Sequence, residues 1–407
     1  MSVQAAPLPA QQANRDLFFK LAFAFGVMIA VLEIGYLVMS PLPYDALGYA
    51  IGRDFVNAWL GAKLALSGSP APYFEFSAYQ TLLTQHFGPN YPIHIWSYPP
   101  HLLLFTWPLG LMPYMTAYAV YCLLGLILYL PVASDGSRKP EHLVLLAIAP
   151  AVTVNIWCGQ NGFFVAVLLI CGLTQLDRRP ILAGILFGLL SIKPQLGLLI
   201  PLMLLLTGRW RTIFAAAATI AVLVIATAIV FGPDVWTAYV RDALPTQRWH
   251  TFTGIQNFML HMPTAFMNAK IAGLSMAACI AIQAVVSVAT LAAVVWTFWR
   301  RRDPVLSMAL FVTAIFTATP YAFNYDMVVF GWVIIKLMDR DDNEPIDYAL
   351  MLAVFATPAL TVALGMTRVL PFSSLALFAF GARLVWRLAQ QTQESRNTQA
   401  THVRALA

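Results

Sequence analysis

Charge is what this chain of 407 residues has least of: Asp, Glu, Lys and Arg together make up 10% of it, against about 25% in an ordinary soluble domain. Too few ionised groups are present to cover a soluble globule, and that fold class is excluded. Cysteine is sparse too. Cys122, Cys158, Cys171 and Cys279 stand singly in or beside apolar runs, without the CxxC spacing of a zinc or redox site, and read as small buried hydrophobes. No G-x-x-x-x-G-K or G-x-G-x-x-G loop is present to cradle a nucleotide, and no H-E-x-x-H to hold zinc. His94 and His101, seven apart, are a poor metal pair. Neither a cofactor nor a metal is expected. The net charge of +6 does not point to nucleic acid, because the basic residues fall in the turns between apolar runs, as they do on the cytoplasmic side of membrane proteins.

What is present is hydrocarbon: 60% of residues are hydrophobic and the mean hydropathy is +0.72. It is spread over many long runs without strand-like alternation, such as 212 to 231, so the lipid-spanning elements are helices. The fold class expected is an all-α polytopic membrane protein. Apolar runs fall at about 17 to 39, 114 to 133, 142 to 157, 162 to 176, 180 to 192, 195 to 207, 212 to 232, 271 to 299, 304 to 319, 326 to 338, 346 to 366 and 370 to 388. Basic clusters occupy alternate turns: Arg15 and Lys20, Arg138 and Lys139, Arg178 and Arg179, Arg209 and Arg211, Arg300 to Arg302, Lys336 and Arg340, and Arg383 onward. The positive-inside rule then predicts about twelve crossings, with both termini cytoplasmic. Residues 17–389 form a single transmembrane domain. The polar stretches 1–16 and 390–407 have too little apolar surface to offset the entropy of ordering, and are expected to be disordered.

The remaining turns face outward and carry most of the other polar chemistry. Two of them, 41–113 and 233–270, are long and aromatic, and are expected to fold as caps on the outer surface, after helix 1 and between helices 7 and 8. Several middle runs hold only about 12 to 15 residues, short of the roughly 20 that cross a bilayer. The turns between them, Gly159 to Gly162 and Lys193 to Gln195, must therefore dip inward and line an outward-opening cavity, where non-helical backbone is tolerated.

Candidate functional residues sit at those places. Asp54, in Gly52-Arg53-Asp54-Phe55, is placed to take a proton from a hydroxyl; it is also well placed to cap the amphipathic run Phe55 to Leu66. Lys193 puts an ammonium among leucines and isoleucines, a functional hypothesis by default within a membrane, or else a side chain that snorkels outward. In the second cap Arg241, Arg248 and His250 could meet a phosphate or sugar hydroxyls, with Arg248 and His250, on either side of Trp249, the preferred pair. Gln160, Asn161, Tyr98 and His101 are polar groups at the outer ends of helices, fit either to bind substrate or to bond one helix to another.

These residues resemble, in order and spacing, the membrane glycosyltransferases of GT-C architecture, and among them glycosyltransferase family 87, the polyprenol-phosphate-mannose-dependent α-mannosyltransferase group. The resemblance rests on Gly52-Arg53-Asp54-Phe55 with Leu66-Ser67-Gly68 and Pro72-Tyr73; on Tyr98-Pro99-Pro100 with Pro108-Leu109 and Met112-Pro113; on Gly159-Gln160-Asn161; and on Lys193-Pro194 with Arg209-Trp210-Arg211. It implies a GT-C-like fold in a bacterial inner membrane, with the active site facing the periplasm. Asp54 then matches the acidic residue of the first outer loop beside the reacting sugar, and the donor is a polyprenyl-phosphate sugar, mannose foremost. The acceptor is a glycolipid or glycan, and the single displacement inverts the anomeric centre. The acidic residue is single here, without the paired Asp of metal-binding GT-C enzymes, which implies metal independence. The competing expectations are a lipid or glycan transporter, which also needs broken helices, and a non-catalytic partner in envelope polysaccharide assembly.

Overall fold

The computed structural model describes residues 9–253, 257–299, 302–367 and 372–406. Among these there is no strand, only an isolated bridge between Tyr44 and Ala50. Among the described residues, all twelve apolar runs are largely helical, some as two helices with a short break between them. Proline punctuates them: Pro140, Pro150, Pro180 and Pro304 each stand in the first turn of a helix. There the missing N–H costs nothing and the fixed φ favours helix entry.

Five described helices are long and apolar enough to cross a membrane: Pro9–Val38, Tyr114–Ala133, Trp210–Phe231, Met276–Trp299 and Pro345–Thr367. Pro140–Ala147 and Pro150–Cys158, bent by 42° at their break, make a sixth if taken as one span. The chain is thus a multi-pass helical membrane protein. Other apolar helices are short: Gly162–Gln175 and Pro304–Thr317 have 14 residues each, or about 21 Å at 1.5 Å per residue. Close packing holds them. Gly184 and Gly188 face Trp210–Phe231, where an added Cβ would lie 2.5 Å from Thr212 O and Thr219 Cβ respectively. Small residues four apart let helices approach this way in lipid.

Two sequence-based expectations differ from the structure. The first helix begins at Pro9, inside the polar stretch 1–16, and the last runs from Phe372 to Leu406, through the tail expected to be disordered. Both extensions prolong a helix already nucleated, which needs only propagation, and Ala, Gln, Arg and Glu propagate well. Residues 1–8, and Arg300 and Arg301 of one basic cluster, lie outside the described residues.

Charges gather at one end of the bundle. Arg383 donates to Asp347 through Nε and Nη2 (2.8 and 2.9 Å) and to Glu344 (2.9 Å); Arg387 donates to Asn343 (2.8 Å) and pairs with Asp342 (2.7 Å). Arg340 bridges Asp303 and Asp342, and Arg15 and Lys139 meet on Asp339. Arg15 is near the start of the 30-residue first helix, so the loop after Val38 lies at the far end, roughly 35 Å away.

At that far end the chain turns through Gly52 (φ +85°) and Arg53 (φ +33°) and docks on the turn that follows Cys158. Asp54 N donates to Cys158 O (3.0 Å). Gly159, itself at φ +59°, lies so close that a Cβ would fall 2.4 Å from Gly52 O and 2.5 Å from Phe55 Cβ. A side chain there meets backbone that cannot yield, in a conformation L-residues disfavour. Gly159→Ala is therefore expected to destabilise the fold by about 1–3 kcal/mol, read as a melting temperature several degrees lower in detergent. A variant that melts with the wild type would show that the two turns are not in contact.

Candidate active site

Three helix breaks meet over the docked turn. The first is Gly159-Gln160-Asn161, between Pro150–Cys158 and Gly162–Gln175; the second is around Lys193, between Leu190–Ile192 and Pro194–Gly197; the third is the extended run after Thr317 together with the single 3-10 turn Asn324–Val328 that ends it. The third break is fixed from three sides. Tyr325 O accepts from Asn155 Nδ2 (3.1 Å), Val328 O accepts from Tyr129 Oη (2.7 Å), and Asn324 Nδ2 donates to Pro358 O (2.7 Å). Gly162 lies so close to Tyr325 O that a Cβ would come within 2.5 Å.

The breaks enclose a cavity of about 390 Å³, within the range of pockets that hold small molecules. Asp54, Tyr98, Gln160, Lys193 and His250 all line it, joined by Arg53, His94, Gln247, His261, Tyr321 and Tyr325. Asp54 stands at the N-terminus of the helix Phe55–Ser67, yet its side chain makes no capping hydrogen bond. The carboxylate is turned into the cavity instead. Its Oδ2 accepts from Gln160 Nε2 (2.6 Å), and its Oδ1 lies 3.3 Å from His94 Nε2. Gln160 Oε1 in turn accepts from Tyr98 Oη (2.7 Å) and from Lys193 Nζ (3.4 Å).

Lys193 does not snorkel. It is buried, its ammonium 2.6 Å from Asp326 Oδ1 and 4.7 Å from the centre of the Tyr325 ring. The cost of its charge is offset within the protein by a carboxylate that is itself fully buried, so no bound phosphate is needed to explain its presence. Arg53 is compensated as well: Nε and Nη2 lie 3.0 and 2.8 Å from Asp45 Oδ2, and the guanidinium sits 3.9 Å above the Trp157 ring. Among the described residues lining the cavity, Asp54 is the one carboxylate, and its side chain is 32% exposed. Its neighbour His94 is held below the usual histidine range by burial, and further by Arg53, with Asp54 opposing.

Four other candidates are placed elsewhere. Arg248 is exposed and off the cavity, which breaks up the expected pair. Leu244–Phe252 is a helix, and two residues on a helix differ by about 200°, so Gln247 and His250 share the cavity face while Arg248 turns away. Arg241 is spent on its neighbour Asp242 at the surface (2.9 and 2.8 Å). His101 is buried beside the cavity, its ring stacked on Trp236 at 5.8 Å and its Nε2 3.2 Å from Ser191 Oγ. Asn161 is buried, and neither of its amide atoms has a hydrogen-bond partner among the described residues. Sequence reasoning missed Arg53, the contact of His94 with Asp54, and the pairing of Asp326. The signal for the last was there, since a lysine within apolar spans wants a carboxylate within apolar spans.

The fold and the cavity define a multi-pass helical membrane protein with broken helices and a carboxylate in a polar pocket. A sequence profile of glycosyltransferase family 87 matches residues 96–320, more than half of the chain, and the chain belongs to that family. It is accordingly a glycosyltransferase. Gln160 and Lys193 fall within the matched range; Asp54 and Asp326 fall outside it. No curated protein and no solved structure matches the chain.

Two outcomes are expected. Lys193→Met alone strands a buried carboxylate and should cost about 3–5 kcal/mol, whereas Lys193→Met with Asp326→Asn should recover most of the loss in a denaturation series. Additive losses would mean that the two do not pair. The second concerns pH. Burial pushes His94, His250 and His261 below 6.5, His261 to about 4. Such a group binds fewer protons folded than unfolded, so the stability it contributes is complete above 6.5 and is lost as pH falls toward the folded value. The melting temperature should be flat above about pH 7 and fall between about 6.5 and 4, less steeply in His261→Asn.

Proposed function

We propose that the protein moves a sugar, mannose in the first instance, from a polyprenyl-phosphate donor to a glycolipid or glycan acceptor at the periplasmic face of a bacterial inner membrane. The observation that carries this reading is Asp54: in a family 87 glycosyltransferase, it is a cavity carboxylate with no capping duty, and among the described residues no lysine or arginine pairs with it. All twelve apolar runs are taken to cross or enter the bilayer, with the charged ring of Arg340, Arg383 and Arg387 on the cytoplasmic side, where basic residues collect. The cavity then opens outward, where lipid-linked donors are supplied and nucleotide sugars are not.

In the reaction proposed, the acceptor hydroxyl gives its proton to Asp54 as its oxygen forms a bond to the anomeric carbon. The bond from that carbon to the phosphate oxygen breaks on the opposite face, and its electron pair leaves with the phosphate. One displacement inverts the centre. The Arg53 guanidinium is the cation assigned to the phosphate, because it lines the cavity and keeps 17% of its side chain exposed while Lys193 keeps 4%. Fixed positive charge at a leaving group acts most strongly in the transition state. Gln247, His250 and the tyrosines supply donors and flat rings for the sugars.

Purified wild type should transfer label from a radiolabelled polyprenyl-phosphate sugar to a membrane lipid extract. Asp54→Asn should fold and bind donor but transfer at least about 100-fold more slowly, the usual worth of a general base. Equal rates would remove Asp54 from the mechanism, and no transfer by wild type from any of a panel of such donors would remove the donor class.

A further inference from the structure

Lys193, Asp326, Tyr98 and Gln160 come from four separate stretches of chain: Asp326 holds Lys193, Lys193 and Tyr98 meet Oε1 of Gln160, and Nε2 of Gln160 reaches one oxygen of Asp54. An amide between two charged groups can point either way, but here the chemistry of its neighbours leaves one choice. The Lys193 ammonium has only donors and the Asp54 carboxylate only acceptors. The amide must therefore turn its oxygen to Lys193 and its N–H to Asp54. Tyr98 Oη, donating to the same Gln160 Oε1 at 2.7 Å, reinforces that orientation. Reversal would set the amide N–H against an ammonium and the carbonyl against a carboxylate.

We propose that Gln160 is the positioning residue of Asp54, and that the buried Lys193–Asp326 pair exists to orient the Gln160 amide rather than to bind the donor phosphate. The pair suits that work. The Asp326 side chain is fully buried and that of Lys193 nearly so, and Asp326 lies in the break fixed by Asn155, Tyr129 and Pro358. A lysine tethered in this way presents its charge at a fixed point to the amide 3.4 Å away. Holding Oδ2 at 2.6 Å leaves Oδ1, the oxygen facing His94, to take the proton. The carboxylate is thereby given one orientation, and a misplaced base is costly to catalysis.

This inference rests on the transferase reading, so its test includes a readout that needs no turnover. Infrared spectra of the purified protein would be recorded for wild type, Gln160→Leu, the double variant Lys193→Met with Asp326→Asn, and Arg248→Ala as a surface control. The Asp54 carboxylate band is identified by its loss in Asp54→Asn. The band should shift in Gln160→Leu and in the double variant, and stay in place in Arg248→Ala. An unmoved band in either folded variant overturns the proposal, and the double variant carries the test if Gln160→Leu does not fold. In the transfer assay both should lose about tenfold in kcat, the worth of one hydrogen bond to a charged group, with the donor KM within about twofold. A donor KM raised tenfold or more in the double variant would return Lys193 to the phosphate and overturn its assignment here. If wild type transfers nothing the polyprenyl-phosphate donor reading fails, while the band still decides whether Gln160 holds Asp54.

Discussion

The contact on which the site depends is the docking of the Gly52–Phe55 turn on the Cys158–Gln160 turn. It is a backbone contact first: Asp54 N on Cys158 O, and Gly159 where any side chain would strike Gly52 O. Because the approach is that close, the side chains on either side come into register without choice. Asp54 meets Gln160, while Arg53, bent into a positive φ, swings to Asp45 and the face of Trp157. A strained φ at a residue other than glycine persists only when its surroundings over-determine it, and here an ion pair and an aromatic face do so. The Gly52–Phe55 turn and the broken helices are therefore one unit at the cavity.

The two ends of the bundle handle charge differently. At the Arg383 end, arginines chelate carboxylates in part-exposed clusters, each of modest worth in water but together enough to fix helix ends. At the cavity the charges are few and paired singly: Lys193 with Asp326, Arg53 with Asp45. An isolated ion in a dry interior is very costly, so each buried charge has its partner within hydrogen-bond distance. Asp54 differs in being partly open to the cavity, with the Gln160 amide and the His94 ring as its neighbours.

Much of the fold could be read in advance, because long apolar runs separated by prolines and basic turns leave helix as the one way to satisfy the backbone in lipid. The helical character of 9–16 and 390–406 could not, since composition measures apolar surface and not the ease of extending a helix that already exists. In the site, Asp54, Tyr98, Gln160, Lys193 and His250 stood out as polar groups in apolar or aromatic surroundings, and they share the cavity. Arg248 misled because the pair was preferred for flanking Trp249 in sequence; on the helix Leu244–Phe252, positions 248 and 250 point apart. The Lys193–Asp326 pair joins residues 133 apart in sequence, and only the meeting of two helix breaks brings them together.

The short helices complete the logic of the cavity. A helix of 14 residues ends partway through a bilayer, and its exposed backbone ends must then find partners in protein or in water. Three such endings in one place would be a liability in a packed core, because each leaves peptide groups to satisfy. Here Asn155, Tyr129 and Asn324 bond the third break to its neighbours, while the first two turn their side chains inward. The broken helices thus give up continuous hydrogen bonding beside the cavity, where polar side chains can replace it. The same breaks place a carboxylate, an amide and an ammonium within reach of one another, where continuous apolar helices would have offered only hydrocarbon.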